Sequence, residues 1–317
     1  MTILHGNCLN LLKIIESESV QTVITSPPYW GLRDYGNANQ IGLEKTPEFY
    51  VEKMVSVFQE IRRVLKEDGT VWLNLGDSYM SSGGASRHHG YTDPKYSNGR
   101  KIEYFEPQAY PHDTIKPKDL VGIPWRVALA LQSDGWYLRQ DIIWEKGNSM
   151  PEPVKDRCTK SHEYLFLLSK NRKYFFDHKA IQEDAKQNRW GGKKAINTKN
   201  SKDVNNTFKG LNRERDMMPE KRNKRSVWNI NTQPCKEAHF AVMPQKLVEP
   251  CVLAGSKQGD TILDPFAGAG TVGMVAKQYG REFIGIELNA EYINIAKKRI
   301  ENTAFIAQEV ESQFDIF

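Results

Sequence analysis

The sequence has little cysteine and no long apolar run. Its four cysteines, Cys8, Cys158, Cys235 and Cys251, show no C-x-x-C spacing, which argues against a zinc ribbon and a disulfide framework and leaves free, mostly buried thiols as the expectation. No apolar stretch approaches the roughly 18 residues of a membrane span. The opening Met1-Thr-Ile-Leu-His-Gly has neither a basic n-region nor an apolar h-region, so a reducing cytoplasm, away from membranes, is the expected location. Metal-ligand spacing is missing too: His88 and His89 have no acid or cysteine partner at the right distance along the chain, so no metal is expected.

What is present suits one large α/β domain carrying an insert: 317 residues, with hydrophobic residues at 39% and charged residues at 26%, which excludes a mainly disordered chain. The net charge of +5 is unevenly spread. Residues 186–225 hold thirteen Lys+Arg against four Asp+Glu, a local +9 that leaves −4 for the rest. A basic segment on a slightly acidic body points to a polyanionic partner.

The first 180 residues alternate strand-like and helix-like stretches, the pattern of an open, mainly parallel sheet covered on both faces. Val20–Thr25 is a β-branched apolar run that stops at Ser26-Pro27-Pro28-Tyr29, because proline cannot donate to a ladder. Thr46-Pro47 reads as an N-cap with proline at the first helical position. Tyr50, Met54, Val57, Ile61 and Val64 follow at three- or four-residue steps, and Gly69 is expected to close that helix. Residues 70–75 predict a strand, 125–132 a helix, and 137–144 and 164–168 two more strands. Residues 80–118, with Ser-Ser-Gly-Gly, several tyrosines and four prolines, predict a long surface insert. From Val227 the pattern resumes as helix, strand, glycine-rich turn, helix, strand, helix.

Thr261-Ile262-Leu263 runs into Asp264-Pro265-Phe266-Ala267-Gly268-Ala269-Gly270-Thr271, and a helix-like stretch then leads to Phe283-Ile284-Gly285-Ile286-Glu287. Strand, glycine turn, helix, strand and terminal acid describe a nucleoside-binding unit. The glycines let backbone approach the ligand, and the acid accepts hydrogen bonds from ribose hydroxyls. Gly268-x-Gly270-x-x-Gly273 also satisfies the dinucleotide fingerprint, but two features oppose a nicotinamide enzyme. Asp264-Pro265-Phe266 separates the strand from the first glycine, and the 47 residues after Gly270 are too few for a doubly wound sheet. The rest of the sheet is expected upstream. The cofactor half is then carboxy-terminal (227–317) and the chemistry half amino-terminal (1–180), a circular rearrangement of the usual order, with 181–226 between them.

In an open α/β sheet the ligand crevice lies at the carboxyl ends of the strands, so the 26–29 and 264–271 turns are expected to face one another. Two prolines stiffen Ser26-Pro27-Pro28-Tyr29 and remove two donors, leaving carbonyl oxygens and the Ser26 hydroxyl as acceptors beside the flat face of Tyr29. Such a site suits a planar base bearing an exocyclic amino group: the acceptors bind its N–H bonds, localise the lone pair on nitrogen and aim it at an electrophile. No strong base is required, because methylation makes the nitrogen acidic and water takes the proton. For the tetrapeptide alone, an inert proline turn is the alternative.

Thr25-Ser26-Pro27-Pro28-Tyr29, with the 264–271 turn far downstream, resembles the amino-methylating DNA methyltransferases in which the catalytic motif precedes the cofactor motif. The serine form of the tetrapeptide resembles the cytosine-N4 branch, whereas adenine-N6 enzymes usually show Asp or Asn there. His5-Gly6-Asn7-Cys8 resembles the turn that touches the cofactor's adenine, with Asn7 where the family commonly has Asp. Leu73-Asn74-Leu75-Gly76-Asp77-Ser78-Tyr79 resembles the strand end beside the target base. Ala238-His239-Phe240-Ala241 with Met243-Pro244 resembles the segment packing against the methionine moiety, and residues 283–288, ending in Glu287 and Leu288, resemble the ribose-binding strand.

The resemblance implies a Rossmann-like S-adenosylmethionine-dependent methyltransferase fold, S-adenosylmethionine as methyl donor, and a variable target-recognition region where the basic stretch lies. It implies methylation of the N4 amino group of a cytosine flipped out of double-stranded DNA. Ser26 and the Pro27 carbonyl would orient the amino group and Tyr29 would stack on the base. Asp264 and the glycine turn would hold the methionine portion and Glu287 the ribose. Adenine-N6 methylation on the same scaffold, RNA methylation and DNA binding without catalysis stay open, as do a cognate restriction endonuclease and a homo-oligomer.

A cytosine-C5 mechanism would need a Pro-Cys nucleophile, and the chain has Pro234-Cys235 and Pro250-Cys251. In C5 enzymes the cofactor motif comes first, but here both pairs precede Asp264, and Cys251 sits in an apolar helix-like stretch that makes it a core residue. For the basic stretch, phosphate contacts would supply salt-dependent affinity, and Arg, Lys, Asn or Gln side chains would read base edges. A merely solvated charged face is the alternative there.

Overall fold

The computed structural model of the chain describes residues 1–32, 40–80, 112–185, 221–233 and 242–306. An eight-stranded sheet organises them in the order β1 (Thr2–His5), β10 (Glu282–Glu287), β9 (Thr261–Asp264), β2 (Val20–Thr25), β3 (Leu65–Leu75), β5 (His162–Ser169), β4 (Tyr137–Glu145), β8 (Val227–Asn229). All neighbours are parallel except those of β5, which runs against both β3 and β4. The carboxyl ends of seven strands therefore share one edge with the amino end of β5. A separate two-stranded ladder, β6 (Glu183–Asp184) with β7 (Lys221–Arg222), flanks the basic stretch, whose residues 186–220 lie outside the described residues.

Period-two alternation sends neighbouring strand residues to opposite faces. Val71, Leu73 and Leu75 of β3 pack into one core with α1 (Cys8–Leu12), α2 (Pro47–Val64) and α3 (Ile123–Ser133), contributed by side chains such as Leu12, Phe58 and Leu131. Trp72, between them, joins a second core with α4 (Gln245–Gly255), α5 (Thr271–Gln278) and α6 (Ala290–Glu301), through Val248, Val275 and Ile300. Each large aliphatic or aromatic side chain so buried contributes about 1.5–3 kcal/mol. Both faces are covered, as the apolar runs imply.

The Thr46 Oγ1 accepts from the Phe49 amide at the start of α2, Pro47 occupies its first turn, and Tyr50, Met54, Val57, Ile61 and Val64 are all buried. Its end differs from the sequence expectation. The helix stops at Val64, and Gly69 lies inside β3. Glycine is needed there for space: a Cβ would sit 2.5 Å from Leu65 Cγ and 2.9 Å from the Gln21 carbonyl.

At the insert's described ends, Met80 exchanges backbone hydrogen bonds with Lys118 and Asp119, and Ile115 is buried against the core while Asp113, Thr114, Lys116, Pro117 and Lys118 are exposed. Residues 81–111, with His88 and His89, lie outside the described residues. Among the described residues no helix is long and apolar enough to cross a membrane. Cys251 is buried, with its thiol donating to the Leu247 carbonyl, while Cys158 is exposed and Cys235 lies outside the described residues.

Gly273, the last glycine of the fingerprint, packs α5 against β10 and α6. A Cβ there would come within 2.7 Å of the Phe283 ring and closer still to Ile300. Gly273→Ala is expected to lower stability by about 1–3 kcal/mol, read as a fall in the urea midpoint with unchanged slope.

Candidate active site

A cavity of about 610 Å³ opens at the shared strand edge. Ser26, Pro27, Pro28 and Tyr29, which follow β2, line it together with Asp264, Pro265, Phe266, Gly268 and Thr271, which follow β9. Asn7, Cys8, Glu287 and Leu288 complete the wall beyond β1 and β10. The proline turn and the glycine turn therefore meet in one hollow. Gly270 stands behind the wall, where a Cβ would lie 2.7 Å from that of Ala296 and its φ of +78° suits glycine. Pro244 begins α4 outside the lining, while its neighbours Val242 and Met243 line the cavity. His239, Phe240 and Ala241 lie outside the described residues.

On the glycine side, one oxygen couples two strands. Asp264 Oδ1 accepts from Thr25 Oγ1 at 2.7 Å and from the Phe266 amide at 3.1 Å. Asp264 is buried, and that burial pushes its carboxyl up to about 7. Glu287 is held by two backbone amides, Gly268 to Oε2 and Asn289 to Oε1, both at 2.8 Å. Burial raises it above the ordinary carboxylate value as well. The Asn7 side-chain oxygen caps α1 by accepting from the Leu9 amide. Burial pushes the Cys8 thiol up to about 12, so it forms a neutral wall.

On the proline side, the Pro28 carbonyl is taken by the Tyr50 hydroxyl at 2.9 Å, whereas no donor among the described residues reaches the Pro27 carbonyl. Tyr29 lies against Gly76, where a Cβ would be 2.5 Å from its ring. Its hydroxyl donates to Glu163 Oε2 at 2.7 Å, and Lys146 pairs with Glu163 Oε1. Asn74, Lys146 and Glu163 all line the cavity.

Of these three, only Asn74 stood in a motif. Glu163 precedes an apolar strand, and in a parallel strand that position would lie at the far edge. The reversed direction of β5, visible only in the sheet, delivers it to the site.

The N6/N4 methyltransferase family model, described as DNA methylase, matches residues 20–298. The chain belongs to that family. The methylase is 45% identical over 300 residues to the Type II methyltransferase M.Cfr9I of Citrobacter freundii, covering 95% of this chain and 87% of that one. Its fold matches the solved PvuII DNA methyltransferase, described as cytosine-N4-specific, with a TM-score of 0.61 at 18% identity over 97% of this chain and 87% of the other. It also matches TTHA0409 of Thermus thermophilus, solved in complex with S-adenosyl-L-methionine, with a TM-score of 0.56 at 21% identity over 94% and 92% of the two chains.

In the methylase, Asp264 titrates near 7 when folded, above its ordinary 3.8. Its neutral form is therefore the one the fold favours, and this contribution is lost as pH rises from about 4 through about 7. Urea unfolding at pH 5.5 and 8 is expected to show that decline. Asp264→Asn, which retains an oxygen acceptor for Thr25 and Phe266, is expected to flatten it.

Proposed function

We propose that this methylase transfers a methyl group from S-adenosylmethionine to the N4 amino group of cytosine in double-stranded DNA. The observation that carries the reading is the single hollow lined by both the Ser26–Tyr29 and Asp264–Thr271 turns. Its volume falls in the range of small-molecule sites. Glu287 offers acceptor oxygens to ribose hydroxyls, Asn7, Cys8 and Leu288 flank the adenine, and the Asp264 carboxylate faces the methionine ammonium. Phe266 and Met243 supply apolar wall. When bound, S-adenosylmethionine supplies an electrophilic methyl group on a sulfonium.

The chain's own task is to place the base nitrogen. Ser26 Oγ and the Pro27 carbonyl accept from the amino group and Tyr29 offers its ring to the base. Positioning of this kind contributes on the order of 7–11 kcal/mol. The base must leave the duplex to reach the hollow, which costs a few kcal/mol. Residues 181–226, with their basic stretch, serve as the target-recognition region through phosphate and base-edge contacts. Serine at position 26, where adenine-N6 enzymes usually carry Asp or Asn, favours cytosine, and the relative described as Type II supports a cognate restriction endonuclease in the same cytoplasm.

Digesting methylated duplex to nucleosides is expected to yield N4-methyldeoxycytidine, and N6-methyldeoxyadenosine would overturn the choice of base. Ser26→Ala is expected to lower turnover on the order of a hundredfold while cofactor affinity stays within about twofold, since a misplaced reacting atom costs rate and not cofactor contacts. Kinetics paired with calorimetric titration separates the two.

A further inference from the structure

We infer that Glu163, clasped by Lys146, is a positioning residue that sets the direction of the protons along Tyr29 and Ser26, so that Ser26 meets the target base as an acceptor. This rests on the proposed amino-group methylation and assigns its polarity to a residue outside every motif.

The carboxylate sets the direction. Glu163 Oε2 has no proton to give, so at 2.7 Å the Tyr29 hydroxyl must be the donor. Burial, followed by the Glu163 charge, holds the phenol well above its usual range and keeps that proton on Tyr29. With its one proton shared between Glu163 Oε2 and, at 3.2 Å, Asn74 Oδ1, both acceptors, the phenolic oxygen can only accept from Ser26 Oγ, 3.4 Å away. That link is long, as hydrogen bonds in sites without substrate often are. The Ser26 proton then points toward Tyr29, and its lone pairs are left for the cavity beside the Pro27 carbonyl. An amino group is welcome there, whereas a base carrying a carbonyl at that position would meet acceptor against acceptor.

The anchor itself is held from several sides. Lys146 pairs with Oε1 and rests 4.6 Å over the Trp144 ring. Asn74 Nδ2 donates to Oε2 at 3.1 Å and to the Tyr164 carbonyl at 3.1 Å, which fixes the amide so that its oxygen faces Tyr29. Removing the negative charge leaves only the longer contact to Asn74 Oδ1 to hold the Tyr29 proton, which can then turn toward Ser26. The Ser26 proton can then turn into the cavity, against the incoming N–H.

Glu163→Gln, Tyr29→Phe and the double variant test this in single-turnover methyl transfer to duplex DNA, with S-adenosylmethionine affinity measured alongside. Each single change is expected to slow transfer on the order of a hundredfold, with cofactor affinity within about twofold, and the double is expected to be no slower than the slower single, because both break one chain. A wild-type rate in Glu163→Gln, additive losses, or equal losses of rate and cofactor affinity would each overturn the inference. The wild-type product tests the underlying reading separately: N6-methyladenine would remove cytosine as the target yet leave the proton chain standing, since adenine also presents an amino group.

Discussion

The pairing of β2 with β9 is the constraint on which the rest depends. Thr22 and Val23 lie beside Ile262 and Leu263 in a parallel ladder, and Thr25 reaches Asp264 across 239 residues of chain. A slip of one residue would turn every side chain of one strand to the other face. It would expel Val23 or Leu263 from its core and separate the Thr25 hydroxyl from the Asp264 carboxyl. Correct register is also what puts the two turns at one height, so a packing requirement in the middle of the sheet sets the geometry of the cavity at its edge.

Three buried or half-buried acids surround that cavity, and each is compensated differently. Glu163 has a cation, a phenol and an amide. Glu287 has two backbone amides. Asp264 has only a hydroxyl and one amide, and among the described residues no cation reaches it. Desolvation is therefore least offset at Asp264, which is the physical reason its carboxyl rises to about 7. In the proposed reading the missing cation arrives with the methionine portion of the cofactor, so the site's electrostatics are completed by binding.

Much was legible in the sequence because it is written in local periodicity. The run Val20–Thr25 and its proline stop, the Thr46-Pro47 helix start, and the strand, glycine turn, helix and strand after residue 260 each depend on neighbours within a few residues. Gly69 misled because a glycine after a helical pattern normally ends it. Here the helix had already ended, and Gly69 is required by contact with Leu65 and the distant Gln21. Ile115 gave no sign of burial within the insert because its burial partners lie on other elements.

The sequence by itself determined the α/β class, the two turns that carry acceptors and glycines, and the acid at the end of β10, since these rest on residue type and short spacing. Only the tertiary structure decided that β5 runs backwards, which brings Glu163 to Lys146, Tyr29 and Asn74. Strand direction arises from pairing between segments far apart in the chain, and no local pattern encodes it.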